Sequence, residues 1–226
     1  MNKKVIAVLS GGLDSTVAIS KYKDYEIHCI TFDYGQKAVL KEIESSHKIC
    51  ESLNAEHTVI KLDWLKKISN SSLTSSNEVP KLGLNDLEDQ DKCEKSAKSV
   101  WVPARNTVFV SIATSFAEAE KASKIVVGWD AEEANTFPDN SKRFLNQFNE
   151  LIKVGSPNNI IIEAPAIDLN KKEIVELGFK LNAPMELSYS CYVGNDLHCG
   201  VCESCLRRRR AFKEASIDDP TIYEKR

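Results

Sequence analysis

Short apolar runs alternate with stretches of helical spacing along most of this chain, and the alternation predicts its elements. Lys3–Leu9 (KKVIAVL), Glu26–Phe32 (EIHCITF), His57–Leu62 (HTVIKL), Ile125–Trp129 (IVVGW) and Ile160–Ile167 (IIIEAPAI) read as strands. Between them the spacing predicts helices over 15–23, 37–53, 106–121, 138–153 and 171–181, the last opened by Asn170 with Glu173 three residues on as a cap. About five strands alternating with helices argue an α/β fold, a five-stranded parallel sheet with helices on both faces. Ligands of such sheets gather at the carboxyl ends of the strands. Residues 64–99 break the rhythm, mixing Ser, Asn and charges without a firm period. A connection of that length is read either as a lid or binding loop or as a solvated insertion.

The sharpest punctuation is Ser10-Gly11-Gly12-Leu13-Asp14-Ser15, where the first strand passes into the first helix. The opening turn of a helix leaves amides without intrahelical partners, the aligned peptide dipoles add partial positive charge, and glycine lets an anion approach the backbone. The stretch has neither the Walker spacing nor the dinucleotide Gly-x-Gly-x-x-Gly spacing. A plain strand-to-helix turn capped by Ser or Asp is the simpler alternative. SGGLDS resembles the SGGxDS signature of the PP-loop ATP pyrophosphatases. That resemblance implies a Rossmann-like nucleotide domain that grips pyrophosphate while the α-phosphorus of ATP is attacked.

Composition changes this picture little. The 226 residues are 42% hydrophobic and 28% charged, with 30 basic against 33 acidic side chains and a net charge of −3, so no global field draws the chain to nucleic acid. The opening MNKKVIAVLS is too short and polar for a signal peptide or a membrane span, and the cytoplasm is the expected compartment. In that reducing setting the seven cysteines are thiols rather than a disulfide framework.

Further constellations follow the strands. Phe32-Asp33-Tyr34-Gly35-Gln36 stands where adenine or ribose lies in such folds, although an aromatic and a glycine also make a common turn. Arg105 and Asn106, at the mouth of an apolar helix, offer a planar fork and an amide to a carboxylate, phosphate or ring edge. They read equally as a surface ion pair and an N-cap. Beyond IVVGW, the carboxylates of 130–140 can hold magnesium or accept from a guanine-like ring, or Asp139 can simply cap the next helix. Cys199, Cys202 and Cys205, spaced by two residues, can bring three thiolates to one ion, with Cys191 closing a tetrahedron. Structural zinc is the favoured reading and an iron–sulfur cluster its rival, with adjacent His198 a possible substitute ligand. The four arginines from Arg207 to Arg210 can stabilise such thiolates. A nucleic-acid reading is weaker, because no aromatic platform accompanies them.

Taken in order from residue 5 to about 214, SGGLDS, FDYGQ, WVPARN, FPD and SCYVGNDLHCGVCESCLRRRRAF resemble the 7-cyano-7-deazaguanine synthase family of PP-loop enzymes. The resemblance implies a nucleotide domain over 1–184 and a C-terminal helical zinc-binding subdomain over 185–226. It implies ATP contacts from Leu9, Ser10, Gly11, Gly12, Leu13, Asp14, Ser15, Thr16, Phe32, Tyr34, Gly35 and Gln36. Ser10, Asp14, Ser15 and Arg105 would act in catalysis. Arg105, Asn106, Asp130, Phe137 and Asp139 would face the substrate, and Cys191, Cys199, Cys202 and Cys205 would bind Zn2+. The implied reaction joins 7-carboxy-7-deazaguanine to ammonia with Mg2+ and two successive adenylations by ATP, in a homodimer. One stretch departs: TFPDNS (136–141) stands where many members carry GYPDCR. A tRNA-thiolating or amidating PP-loop enzyme and a non-catalytic nucleotide-binding regulator are the alternative readings.

Overall fold

The computed structural model describes residues 3–224. Five strands, β1 (Lys4–Val8), β2 (Glu26–Asp33), β3 (Glu56–Lys61), β4 (Lys124–Val126) and β5 (Ile161–Glu163), form one sheet in the order β3-β2-β1-β4-β5. Every pairing is parallel, with Ala7 opposite Cys29 on one side and Val126 on the other. Central β1 is apolar on both faces. Ile6 enters the larger core with Ile30, Ile125 and Phe109, whereas Val5 and Ala7 enter a second core with Ile19, Cys29 and Ile49. A strand buried on both faces reads as an unbroken apolar run, which is why β1 and β2 stand out in the sequence.

The helices are α1 (Leu13–Ser20), α2 (Val39–Leu53), α3 (Asp63–Ile68), α4 (Gln90–Val100), α5 (Arg105–Ala119), α6 (Lys142–Gly155), α7 (Lys171–Lys180) and α8 (Glu203–Ala215). Asn170 and Glu173 bond reciprocally across the start of α7, at 2.9 and 2.8 Å, as the spacing predicts. The expected helix over 138–153 is divided instead. Pro138–Asn140 is a single 3₁₀ turn, and Ser141, not Asp139, caps α6 by accepting the Phe144 amide at 3.1 Å. Strand β5 is shorter than Ile160–Ile167, since the chain bends through Ala164-Pro165 and proline brings no amide to a ladder.

Residues 64–99 carry α3, a 3₁₀ turn at Leu84–Glu88 and α4, so the absence of a period misled. Helix α4 buries Cys93, Ser96, Ala97 and Val100, a regular helical spacing occupied mostly by small or polar residues that hydropathy passes over. Ser71, Ser72, Leu73 and Thr74 are buried as well, and the Leu73 carbonyl accepts the Lys37 amide at 2.8 Å. C-terminal α8 packs Ala211 and Phe212 against Leu13 and Val17 of α1 and Ile174 of α7.

Candidate active site and cysteine centre

The chain leaves β1 toward β2 on one side and β4 lies on the other, so a crevice opens at their carboxyl ends. Here Leu9–Gly12 turn into α1. Gly11 has φ +75°, and a Cβ on it would stand 2.6 Å from the Glu42 carbonyl oxygen. No side chain caps α1, so its first-turn amides stay available at the cleft. Hydroxyls brace the loop: Ser10 Oγ accepts the Gly12 amide at 3.2 Å and lies 3.1 Å from Ser15 Oγ, which donates to the Gly12 carbonyl at 3.1 Å. From β4, Gly128 passes so close that a Cβ on it would meet the Ser15 amide nitrogen at 2.6 Å.

Asp14 reaches away from the loop to Lys171 at the start of α7. Lys171 Nζ donates to Asp14 Oδ2 at 2.8 Å, Asp130 Oδ2 at 2.9 Å and Glu133 Oε1 at 3.0 Å. Burial raises the Asp14 carboxyl above its usual range, with Lys171 offsetting only part of the effect. Burial likewise pushes Asp130 up to about 7 against the pull of Lys171. For Glu133 burial acts in the same sense, but Lys171 and the arginines nearby outweigh it and hold the carboxyl low. Asp130 and Glu133 belong to the 130–140 carboxylates in which the sequence suggests magnesium, and here an ammonium group lies between them and Asp14.

Leu9, Ser10, Gly12, Leu13, Asp14 and Ser15 line one cleft together with Phe32, Tyr34 and Gln36 from the β2 end. Arg105, Asn106 and Phe137 line the same cleft. Arg105 Nη1 donates to Tyr34 Oη at 3.2 Å, and Phe32 stacks on Phe109 with ring centroids 4.1 Å apart. Gln36 is a brace: its Oε1 accepts the Tyr34 amide at 3.0 Å, while Nε2 donates to the Phe32 carbonyl at 3.0 Å and to Glu42 at 2.7 Å. Asn106 Nδ2 donates to the Asp139 carbonyl at 3.2 Å and to Asn140 Oδ1 at 3.4 Å.

Five expected contact residues stand back from the cleft surface. Thr16 is buried, its hydroxyl donating to the Gly12 carbonyl at 2.7 Å, while Gly11 and Gly35 (φ +80°) shape turns behind the lining. Asp130 is fully enclosed, with Oδ1 accepting the Glu132 and Glu133 amides at 2.9 and 3.1 Å and Oδ2 on Lys171. Asp139 presents its carbonyl to Asn106, and Asn140 lines the cleft in its stead.

Cys191, Cys199, Cys202 and Cys205 are buried with their sulfurs all within 4.8 Å of one another. The Val193 and Cys199 amides donate to Cys191 Sγ, each at 3.4 Å, and the Cys202 amide donates to Cys199 Sγ at 3.3 Å. Amides aimed at sulfur favour thiolates, and four thiolates so gathered form a closed donor set for a soft metal ion. His198 is not a fifth donor: its Nε2 accepts the Ser190 amide at 3.0 Å.

A profile of the family described as queuosine biosynthesis protein QueC matches residues 4–216. A 7-cyano-7-deazaguanine synthase of Methanobrevibacter smithii is 63% identical over 224 residues, covering 99% of each chain. One from Methanosphaera stadtmanae is 60% identical over 226 residues and 100% of each. A third, from Methanothermobacter thermautotrophicus, is 51% identical over 221 residues, 97% of this chain and 99% of its own. The chain belongs to the QueC family.

In this QueC-family fold the residues that sequence reasoning missed are chiefly Lys171, Gly128 and Asn140. Lys171 left one trace, a basic side chain in the first turn of a helix, where the dipole disfavours it. The arginine run differs from expectation. Arg207 bonds Glu203 at 2.7 Å and Glu132 at 2.8 Å, Arg208 bonds Asp219 at 3.1 Å, and Arg210 pairs with Glu132. Arg209 lies over the Tyr223 ring. Among the described residues the one N–H···S contact from an arginine goes, at 3.9 Å, to Cys93 of α4 and not to the four-cysteine centre. Among the described residues no helix is long and apolar enough to cross a membrane.

Proposed function

We propose that this chain is a 7-cyano-7-deazaguanine synthase, an enzyme forming carbon–nitrogen bonds from 7-carboxy-7-deazaguanine, ammonia and ATP. Its QueC membership and the names of its relatives support the reaction. The observation that carries the site assignment is that the uncapped start of α1 and the Arg105–Asn106 corner open on the same cleft.

Converting an acid to a nitrile removes two oxygens, neither of which departs as hydroxide at neutral pH. Each must first be esterified. The substrate carboxylate attacks the α-phosphorus of ATP and pyrophosphate leaves; ammonia then adds at the acyl carbon and AMP leaves, giving the amide. The amide oxygen attacks the α-phosphorus of a second ATP and a second pyrophosphate leaves; elimination of AMP, with loss of the two nitrogen-bound protons, yields the nitrile.

The chain supplies position and fixed charge for these steps. Amides of Gly12 to Ser15 receive the departing pyrophosphate, with Ser10 and Ser15 hydroxyls holding the loop and Asp14 anchoring it to Lys171. Arg105, placed by Tyr34, neutralises charge where carboxylate and α-phosphate meet. Phe32 and Tyr34 offer faces to adenine, and Asn106 and Phe137 bound the deazaguanine. Asp130 and Asp139 act as positioning residues, through Lys171 and Asn106. Because Lys171 already answers the nearest carboxylates, Mg2+ would be held chiefly by the triphosphate, where it would supply charge neutralisation.

The four cysteines hold Zn2+, which supplies a structural cross-link between the 191–199 loop and the start of α8. The described residues from 185 to 224 form a subdomain around it. The enzyme is placed in the cytoplasm. Exposed Leu151, Val154 and Ile161, at the α6–β5 edge, support pairing of two copies, which sedimentation analysis measures.

Incubation of the protein with 7-carboxy-7-deazaguanine, ammonium chloride and Mg-ATP tests the reading. Nitrile with two AMP released per molecule is expected by mass spectrometry. ADP and orthophosphate, or no nitrile, would overturn it.

A further inference from the structure

Among the described residues three buried side-chain oxygens have no hydrogen-bond partner: Asp14 Oδ1, Glu120 Oε2 and Glu203 Oε2. Lys4 Nζ stands 2.7 Å from Glu120 Oε2, which leaves two. Asp14 and Glu203 line the same small chamber beside the cleft, together with Lys171, Tyr192, Ser204 and Arg207. Asp14, Tyr192 and Ser204 also line the cleft, so the chamber adjoins the reaction space. Glu203 is only 3% exposed, and its Oε1 is taken by Arg207 Nη2 at 2.7 Å. The centre of a water-sized guest has about 20 Å³ in which to lie, room for one such molecule.

The chemistry of the walls selects the guest. Carboxylate oxygens only accept, and leaving one buried without a donor is costly, so the guest must donate. The surrounding charge is negative in surplus. One Lys171 ammonium answers Asp14, Asp130 and Glu133, Arg207 is divided between Glu132 and Glu203, Arg210 shares Glu132, and Arg208, which also lines the chamber, is paired with Asp219, so six carboxylates are set against four cations. An anion is therefore repelled. A divalent ion requires about six oxygen ligands, and the carboxylates of this lining offer only two oxygens without a partner, Asp14 Oδ1 and Glu203 Oε2. Ammonium is water-sized, carries one positive charge and donates along four directions.

We propose that this chamber is the docking site from which ammonium, the nitrogen donor, reaches the cleft, with Glu203 as its specificity-determining residue; this rests on the functional reading above. Glu203 sits between Cys202 and Cys205 in the first turn of α8, so the cysteine centre fixes the carboxylate that holds the guest. The centre is thereby tied to the active site without taking part in the chemistry.

Two experiments test the assignment. Wild-type crystals soaked in thallium(I) acetate, a monovalent ion of similar size to ammonium, should show an anomalous peak beside Asp14 and Glu203 that ammonium chloride displaces. A chamber without a peak, or a peak that ammonium leaves in place, overturns the proposal, since a mere water site gives that result. In steady-state assays Glu203→Gln, which keeps an acceptor for Arg207, should raise the KM for ammonium about tenfold or more. The KM for ATP and for the acid should stay within about twofold. An unchanged ammonium KM, or an equal rise for all three substrates, counts against it. A wild-type enzyme that forms no nitrile sinks the functional reading instead, and the thallium result stands apart from that outcome.

Discussion

Lys171 Nζ meets Asp14 Oδ2 at 2.8 Å across 157 positions of sequence, tying the SGGLDS loop to the start of α7. The same ammonium bonds Asp130 and Glu133, so one buried cation sets the relative position of α1, the segment after β4, and α7. A lysine at a helix N-terminus opposes the dipole, and three carboxylates overcome that penalty.

Replacing Lys171 by Met therefore leaves those carboxylates buried without their counter-charge. Removing one partner of such a network costs ~3–5 kcal/mol, and each kcal/mol lowers the melting temperature of a chain this size by about 2–4 °C. Thermal melting should show the fall, and nitrile formation should cease. An unchanged melting curve would contradict the role given to the network.

The same network makes stability depend on pH. Burial lifts Asp130 from an ordinary 3.8 to about 7 in the fold, so between those values the folded chain holds a proton that the unfolded chain has released. Stability from this group is then present toward the acidic side and declines as pH rises through about 7. Asp130→Asn removes the titration. Its melting temperature, relative to the wild type, should improve from pH 5 to pH 8; a constant or opposite difference would refute the direction.

How much of this was legible in the sequence follows from where the information is local. Strand β1, SGGLDS and Cys199-x2-Cys202-x2-Cys205 were readable because periodicity, glycine placement and metal spacing act within a dozen residues. Lys171 was not, since its meaning depends on carboxylates 38 to 157 positions away. Helix α4 was hidden by Ser96 and Ala97 at buried positions, where hydropathy carries no signal. Asp130 was recognisable as chemically important, but only the fold shows that it bonds Lys171. The arginine run likewise looked available until Glu132, Glu203 and Asp219 proved to face it.

Gly128 gives a steric prediction. Its backbone runs against the Ser15 amide so closely that an added Cβ would lie 2.6 Å away, and the obstructing atom belongs to the main chain of α1. Gly128→Ala must push the loop from its place. Overpacking of this kind costs ~1–3 kcal/mol, whereas a shift of about 1 Å at a reacting centre can cost ~100-fold in rate. Turnover should thus fall far more than melting temperature, and kinetics equal to wild type would mean the loop has room to move.

Arg105 is held by its bond to Tyr34 Oη, at 3.2 Å, with its fork on the cleft wall. Lysine in its place keeps the charge but loses the planar pair of donors. If Arg105 grips a carboxylate or phosphate through that fork, Arg105→Lys should lower kcat by about tenfold or more while the melting temperature stays near wild type. Equal kcat would reduce Arg105 to a point charge.

The cysteine centre supplies the last prediction. Cys202 is both one of four sulfurs within 4.8 Å and the residue that opens α8, whose Ala211 and Phe212 pack on α1 and α7. Losing the ion frees the 191–199 loop and the start of α8 together, because metal binding and folding share one free energy. Elemental analysis of purified wild-type protein should find about one zinc per chain, and a colourless preparation separates zinc from an iron–sulfur cluster. Cys202→Ser should bind zinc poorly and melt lower, and a strong chelator should bring the wild type toward the same curve. Iron with visible absorbance would reassign the centre, and a Cys202→Ser protein with undiminished stability would show that α8 docks without it.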